Sequence, residues 1–236
     1  MVKVFIDGSA GTTGLRIRER LAGRNDLEIM VPPEELRKDS AYRKEALFSC
    51  DIAFLCLPDD AAREAVALAE GSDTVIIDTS TAHRTAPGWV YGFPEVRGNR
   101  SLIKASKRIA NPGCYASGFI ALVSPLVENG VIGEDALLSC FGISGYSGGG
   151  KKMIVDYEAE ERDELLDSSR MYALGQDHKH LPEMAKISGL KNTPVFTPVV
   201  DPYYAGMLIT VPLFAKNISG DIKSIEKSTR IIIILV

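Results

Sequence analysis

Val2-Lys3-Val4-Phe5-Ile6-Asp7-Gly8-Ser9-Ala10-Gly11-Thr12-Thr13-Gly14 opens the chain with a short apolar run and a glycine-rich turn, and a helical pattern follows from Leu15 to Leu21. Strand, glycine turn, helix is the order that a dinucleotide-binding loop requires. Gly8 makes the turn, Gly11 lets a pyrophosphate approach the backbone, and Gly14 lets the helix pack close on the strand. Ser9, Ala10, Thr12 and Thr13 complete a loop whose N–H groups face the phosphates from the helix N-terminus. The spacing is GxxGxxG, not GxGxxG, so an ordinary βα turn stays open as the alternative. Its place at the head of an alternating pattern favours the nucleotide.

That pattern continues. Residues 27–31 read as a second strand, 51–57 as a third with the near-continuous apolar character of a strand covered on both faces, and 74–77 as a fourth. Pro58-Asp59-Asp60 opens a helix through Ala69. Strands alternating with helices define an α/β class, a Rossmann-like doubly wound parallel sheet. Leu57 and Pro58 stand at the carboxyl end of their strand, on the edge where such sheets hold ligands. After the second strand no acid stands directly at the strand end to take a ribose 2′-hydroxyl. Arg37 and Lys38 are placed to accept the 2′-phosphate of NADP, or else to form a solvated charge cluster.

The 236 residues suffice for one large domain or two smaller ones, and two is the reading preferred, because the pattern changes near Cys114. Basic and acidic residues number 27 and 31 and are mixed along the chain, leaving no basic face for nucleic acid and no polybasic membrane anchor. A small molecule is the expected partner. The N-terminus has no secretory-signal character and no apolar run reaches the ~18 residues of a membrane span, so a cytoplasmic protein is expected. Four cysteines without a CxxC pair and three histidines support neither a metal site nor a disulfide framework.

Asn111-Pro112-Gly113-Cys114-Tyr115-Ala116 is the stretch richest in chemistry. Asn and Pro break the preceding strand, and Phe119, Ile120, Leu122, Val123 and Leu126 follow at helical spacing, so Cys114 starts a helix. The dipole and unpaired N–H groups there favour a thiolate. With the Asn111 amide, those N–H groups could also bind an oxygen that becomes negative during attack on a carbonyl. A small buried cysteine at a helix start is the alternative. Arg84, in the loop after the fourth strand, is a candidate for an anionic substrate group through its planar fork, or an exposed loop arginine. Residues 136–143 read as a strand, and 144–152 as a glycine-rich loop ending in Lys151-Lys152 that could wrap an anion. The acidic stretch 156–167 reads as a solvated helix face. His178-Lys179-His180 holds imidazoles that could serve as acid/base for a thiolate mechanism, or else a structural or exposed histidine pair. Strands over 195–200 and 207–214 and a helix start at Gly220-Asp221-Ile222 make the second part α+β.

Together these residues resemble the N-acetyl-gamma-glutamyl-phosphate reductase family, in its shorter (type 2) form. The resemblance is carried by residues 8–14, Tyr91-Gly92-Phe93-Pro94-Glu95, Asn111-Pro112-Gly113-Cys114-Tyr115-Ala116, the 144–152 loop and His178-Lys179-His180-Leu181-Pro182-Glu183, which span nearly the whole chain. It implies an NADP-dependent phosphorylating aldehyde dehydrogenase of arginine biosynthesis, working on an acyl phosphate and inorganic phosphate as a homo-oligomer, dimer or tetramer. It also implies an NADP-binding domain over 1–113 and a catalytic and dimerisation domain over 114–236. Cys114 is then the nucleophile that forms a thioester, and the acid/base falls on His178 or His180, with His178 favoured. Arg84 and Lys151 are assigned to substrate phosphate or carboxylate on charge and position. Family members continue with a further helix, strand and Gly/Ala-rich segment, whereas this chain ends in Ile231-Ile232-Ile233-Ile234-Leu235-Val236, expected to be buried in a sheet or to reflect a shortened chain. The alternatives are an aspartate-semialdehyde-type or aminoadipate-type acyl-phosphate reductase, or a catalytically impaired nucleotide-binding module.

Overall fold

The structure, a computed structural model, describes residues 1–8, 11–96 and 98–233. It divides into two compact units, Met1–Gly92 with Ser101–Pro112, and Phe93–Arg100 with Gly113–Val236. A straight division at 113/114 leaves Phe93–Arg100 in the first part, whereas these residues cluster with the second.

The first unit is built on six strands, β1 (Val2–Asp7), β2 (Leu27–Met30), β3 (Ile52–Leu55), β4 (Val75–Asp78), β5 (Val90–Tyr91) and β6 (Arg108–Ala110), in the order β2-β1-β3-β4-β6-β5. Every pairing is parallel. The helices that follow the strands are α1 (Thr12–Leu21), α2 (Ser40–Ser49), α3 (Asp59–Leu68) and α4 (Asn99–Ala105). Val4, Phe5, Ile6 and Asp7 are buried in succession, as a strand covered on both faces requires. Phe5, Leu47, Leu55 and Ile76 form the core between sheet and helices, and each such side chain contributes about 1.5–3 kcal/mol by leaving water. Asp39 caps α2, its Oδ1 accepting from the Tyr42 N–H at 2.8 Å. Arg43, on that helix and buried, donates from Nε to Asp7 Oδ2 at 2.9 Å.

From β1 the chain passes to β2 on one side and then to β3 on the other. The sheet order therefore reverses at the carboxyl ends of β1 and β3. Gly8 lies there with φ +87°, and a Cβ on it would stand 2.2 Å from the Cys56 carbonyl oxygen. Only glycine fits a turn pressed that closely on the end of β3. The sequence pattern found four of the six strands outright and inferred β6 from the break at Asn111-Pro112. The two-residue β5 is too short to show a period.

The second unit holds α5 (Cys114–Glu128), β7 (Ser139–Gly145), α6 (Lys151–Glu158), β8 (Arg170–Met171), α7 (Leu181–Ser188), β9 (Val195–Asp201), β10 (Met207–Thr210) and α8 (Ile222–Ile233). Its sheet runs β10-β7-β9-β8, with β7 and β9 parallel and both edge strands antiparallel. Phe119, Ile120, Val123 and Leu126 bury one stripe of α5. Gly142 of β7 makes room for Tyr115, since a Cβ there would meet the ring at 2.7 Å.

Several boundaries differ from the sequence reading. The strand expected over 136–143 begins at Ser139 and runs to Gly145. The 144–152 stretch is not an open loop: a 3₁₀ turn, Tyr146–Gly149, leads into α6 at Lys151. The acidic stretch divides into the end of α6 and a second 3₁₀ turn, Glu164–Asp167. β10 stops at Thr210, two residues before Pro212, which has no N–H for a ladder. Ile231–Ile233 lie in α8, not in a sheet: Asp221 accepts from the Ser224 N–H at 3.0 Å, and the helix it starts runs through the β-branched residues. Residues 234–236 lie outside the described residues.

Candidate active site

In the first unit the glycine turn and the end of β3 share the edge where the sheet order reverses. Gly11 is the N-cap of α1, and among the described residues a Cβ on it would meet only the Gly8 carbonyl oxygen, at 3.7 Å. Among the described residues nothing else crowds the backbone at Gly11. No acidic residue occupies the first turn of the ten-residue α1, so its positive end is left for an anion. Gly14 is buried in that turn. Leu57 stands against the turn, its Cδ2 3.1 Å from where a Gly8 Cβ would lie, and Pro58 is the N-cap of α3. Thr13 is exposed, and Ser9 and Ala10 lie outside the described residues. Beyond β2, Arg37 pairs with Glu34 at 3.4 Å on an exposed turn, and Lys38 is exposed beside it. The buried Asp7 at the end of β1 has its carboxyl pushed above the usual range, chiefly by burial, with Arg43 opposing. These residues fit a dinucleotide: a backbone uncrowded at Gly11 among the described residues, an uncompensated helix end and two cations past the second strand.

The loop after β4 is tightly tied. Asp78, fully buried, accepts from Ser80 N at 2.9 Å, from Ser80 Oγ at 2.6 Å and from His83 Nδ1 at 2.6 Å. Thr81 donates its N–H (2.9 Å) and its hydroxyl to Asp59 at the start of α3. His83 stacks on Trp89 with centroids 4.1 Å apart. Arg84 is neither a loose surface arginine nor a wholly open anion site. Its Nε donates to the Asn111 carbonyl at 3.0 Å and one terminal nitrogen donates to the Thr79 carbonyl at 3.2 Å. The Asn111 side-chain amide donates to the Pro112 carbonyl at 3.3 Å, so it is engaged within its own turn.

In the second unit Cys114 is the first residue of α5 and is exposed, whereas Cys50 and Cys140 are buried and Cys56 half-buried. Burial pushes the Cys56 thiol up to about 11 and that of Cys140 up to about 12, and raises Cys50 as well. Those thiols are held protonated, and Cys114 is the exposed one at a helix N-terminus. The N–H of Gly113, just before it, donates to Glu183 Oε2 at 3.1 Å. Glu183 is 1 % exposed, and its other oxygen lies 3.9 Å from Nε2 of the buried His180. One carboxylate of α7 therefore joins the start of the cysteine helix to an imidazole. His178 is adjacent, its centroid 4.7 Å from that of His180 and 6.0 Å from that of Tyr115. Its Nδ1 accepts the His180 N–H at 3.1 Å, so neutral His178 carries its hydrogen on Nε2. Burial, helped by Lys179, lowers the His178 pKa below its ordinary value. Tyr115 donates to the Val199 carbonyl at 3.2 Å, Tyr172 lies 3.4 Å from the Tyr115 hydroxyl, and burial raises both phenols, with Cys114 in electrostatic reach.

The second unit thus brings His178 and His180 beside Tyr115 and Glu183 at the start of the helix that Cys114 opens, and the first unit brings Gly8 against Cys56 and Leu57. Lys151 stands exposed at the start of α6. Sequence reasoning passed over Glu183, Tyr115, Tyr172 and the Asp78–His83 pair. Glu183 had a legible signal, its spacing of three from His180 at a helix start. Among the described residues no group of three or more His, Cys, Asp or Glu is gathered to hold a metal, and no helix is long and apolar enough to cross a membrane.

A parallel sheet with a glycine turn at its reversal point, followed by a unit that presents an exposed cysteine at a helix start and a buried histidine–glutamate pair, defines a nucleotide-dependent oxidoreductase of the semialdehyde dehydrogenase class. Residues 3–106 match the semialdehyde dehydrogenase NAD binding domain, and residues 114–229 the semialdehyde dehydrogenase dimerisation domain. Among solved structures, an aspartate semialdehyde dehydrogenase from Francisella tularensis is similar with TM-score 0.69 over 98% of this chain and 80% of its own, at 15% identity. One from Candida albicans, solved with NADP, gives TM-score 0.66 over 97% and 76% at 17% identity. At such identities the likeness establishes the fold alone. The N-acetyl-gamma-glutamyl-phosphate reductase of Rhizobium meliloti (strain 1021) is 46% identical over 221 residues, 92% of this chain and 71% of the relative. That of Sinorhizobium medicae is 46% identical over 231 residues, 96% and 74% of the two chains. The chain belongs to the N-acetyl-gamma-glutamyl-phosphate reductase family.

Proposed function

We propose that this chain reduces N-acetyl-gamma-glutamyl phosphate to N-acetylglutamate semialdehyde with NADPH, a step of arginine biosynthesis, through a thioester on Cys114. The observation that carries the reading is the joining of Gly113, Glu183 and His180 at the N-terminus of α5, where the one exposed thiol stands. The Cys114 sulfur attacks the acyl carbon; the C–S bond forms as the C–O bond to phosphate breaks. N–H groups of the first turn of α5 stabilise the negative oxygen of the tetrahedral intermediate. When bound, the nicotinamide supplies the hydride that turns the thioester into the aldehyde.

We place the acid/base on His180 and not on His178, the histidine favoured by sequence. The His178 Nδ1 lone pair is taken up by a backbone N–H and burial resists its protonation, whereas His180 Nε2 lies 3.9 Å from the Glu183 carboxylate, which orients it. Arg84 and Lys151 receive the anionic groups of the substrate. Residues 1–113 hold NADP, with the pyrophosphate at Gly11 and the 2′-phosphate at Arg37 or Lys38, and residues 114–236 carry catalysis and self-association into a homo-oligomer. Four free thiols accord with a reducing, cytoplasmic setting.

Assay of the reverse reaction tests this reading. N-acetylglutamate semialdehyde, NADP and phosphate are expected to give turnover that Cys114→Ser abolishes. Turnover of aspartate semialdehyde with none of the acetylated substrate would sink the substrate assignment.

A further inference from the structure

Among the described residues, the non-glycine positions with positive φ are Ala173 at +49° and Gln176 at +57°. Both fall in the loop between β8 and α7, the loop that carries Tyr172 and His178. A left-handed backbone disfavours any residue with a Cβ, and it persists only where the surroundings over-determine it. Packing does not do so here, because Leu174, Gly175, Gln176 and Asp177 are exposed. A pair of hydrogen bonds does.

The edge of β9 is laddered by β8 as far as Met171, opposite Val199, and the Tyr172 N–H donates to the Pro198 carbonyl at 3.2 Å. Two residues further along that edge, the side chain of Gln176 takes over the ladder. Its Nε2 donates to the Phe196 carbonyl and its Oε1 accepts the Phe196 N–H, both at 2.8 Å. A strand residue offers the same donor and acceptor to the residue facing it, so the primary amide stands in for a peptide group. Phe196 is buried, with its ring centroid 5.2 Å from that of Tyr115 and 5.0 Å from that of His178. At one end of the loop Tyr172 donates to the Tyr115 hydroxyl at 3.4 Å, and at the other His178 Nδ1 accepts the His180 N–H. Tyr115 directly follows Cys114, and His180 is the residue given the acid/base role. All of these residues lie in the second unit.

We infer that Gln176 is a positioning residue for the reaction: its amide completes the edge of β9 and so holds the 172–178 loop in the strained shape that sets Tyr172 against Tyr115 and His178 against the His180 N–H. The inference rests on the reductase reading. Gln176 acts through the loop and not on the reacting atoms, and the role needs a carboxamide, the one side-chain group that presents a neutral donor and acceptor side by side. Leucine has nearly the same reach and forms neither bond.

Two sets of measurements on the whole chain test this. Gln176 is the chain's one glutamine, so its side-chain NH₂ signal is identified by type in NMR. In the wild-type protein without ligand, the Phe196 amide and the Gln176 NH₂ are expected to exchange slowly with solvent, and fast exchange of both overturns the clamp. In Gln176→Leu the Phe196 amide loses its protection, and the His178 pKa, held below 6.5 chiefly by burial with Lys179 adding and Asp177 opposing, rises towards 6.5 as the loop opens to water. With N-acetylglutamate semialdehyde, NADP and phosphate, kcat of this variant is expected to fall about 10²-fold while the NADP affinity read by calorimetry stays at the wild-type value. Wild-type kcat, a fall in kcat without movement of the His178 signal, or loss of kcat and NADP affinity together overturns the positioning role. Gln176→Glu keeps the acceptor and loses the donor at neutral pH; its kcat is expected between the other two, it serves where the leucine variant does not fold, and wild-type kcat in it also overturns the role. Absence of turnover from the wild-type protein would instead remove the reductase reading, and the Phe196 and His178 signals would still decide whether Gln176 holds the loop.

Discussion

Glu183 links two tasks in one carboxylate: it accepts the Gly113 N–H before the cysteine helix and faces His180. Glu183→Ala removes both and strands a buried N–H, a loss of about 1–3 kcal/mol. Glu183→Gln keeps an oxygen for Gly113 but loses the charge facing the imidazole. It is therefore expected to melt near the wild-type temperature while kcat falls about 10²-fold, and a variant with wild-type kcat would show that His180 needs no orienter. Iodoacetamide at neutral pH is expected to label Cys114 ahead of the other three cysteines, whose thiols burial holds protonated, and peptide mapping reads the order directly. For His178 the folded-state pKa lies below its ordinary 6.5. The stability gained from a neutral imidazole is then full above about pH 6.5 and declines as pH falls through the folded pKa, because the unfolded chain binds the proton first. His178→Asn should flatten the fall of Tm in that acidic window.

Among the elements, the turn between β1 and α1 depends on one position. Gly8→Ala places a Cβ 2.2 Å from a backbone carbonyl in a left-handed conformation, so β1 and β3 must separate at the edge proposed for the nucleotide. A loss of at least about 1–3 kcal/mol is expected in urea denaturation, together with weakened NADP binding by calorimetry. The helix α2 is fastened to β1 by Arg43 and Asp7, both buried. Arg43→Met alone leaves an uncompensated buried carboxylate and should cost about 3–5 kcal/mol, whereas pairing it with Asp7→Asn recovers much of the loss. Equal destabilisation of single and double variants would show that the pair does not act as a unit.

At the scale of the whole molecule, the second unit matches a dimerisation domain and leaves the edge strand β10 with Met207 and Leu208 exposed. An unpaired apolar edge favours association. Sedimentation equilibrium is expected to give a mass of at least two chains, and a monomer at micromolar concentration would contradict the oligomer.

The alternation of apolar strands and helices, the glycine turn at residues 8–14 and the Asn111–Ala116 stretch were legible in the sequence because each is a local pattern: a period, a turn chemistry, a helix start. Cys114 at the head of a helix and the parallel sheet followed from them. The 3₁₀ turn at Tyr146–Gly149 and the helical fate of Ile231–Ile233 were not legible, because short turns have no period and a β-branched run takes the conformation of the helix leading into it. Nor were the pairs Asp7–Arg43, Asp78–His83 and Gly113–Glu183, whose partners stand 36, 5 and 70 residues apart. Sequence determined which residues stand as candidates for the chemistry and which elements bear them. Only the tertiary structure decided which carboxylate orients which imidazole, because burial leaves a charged or polar group only the partners that folding brings within hydrogen-bond reach.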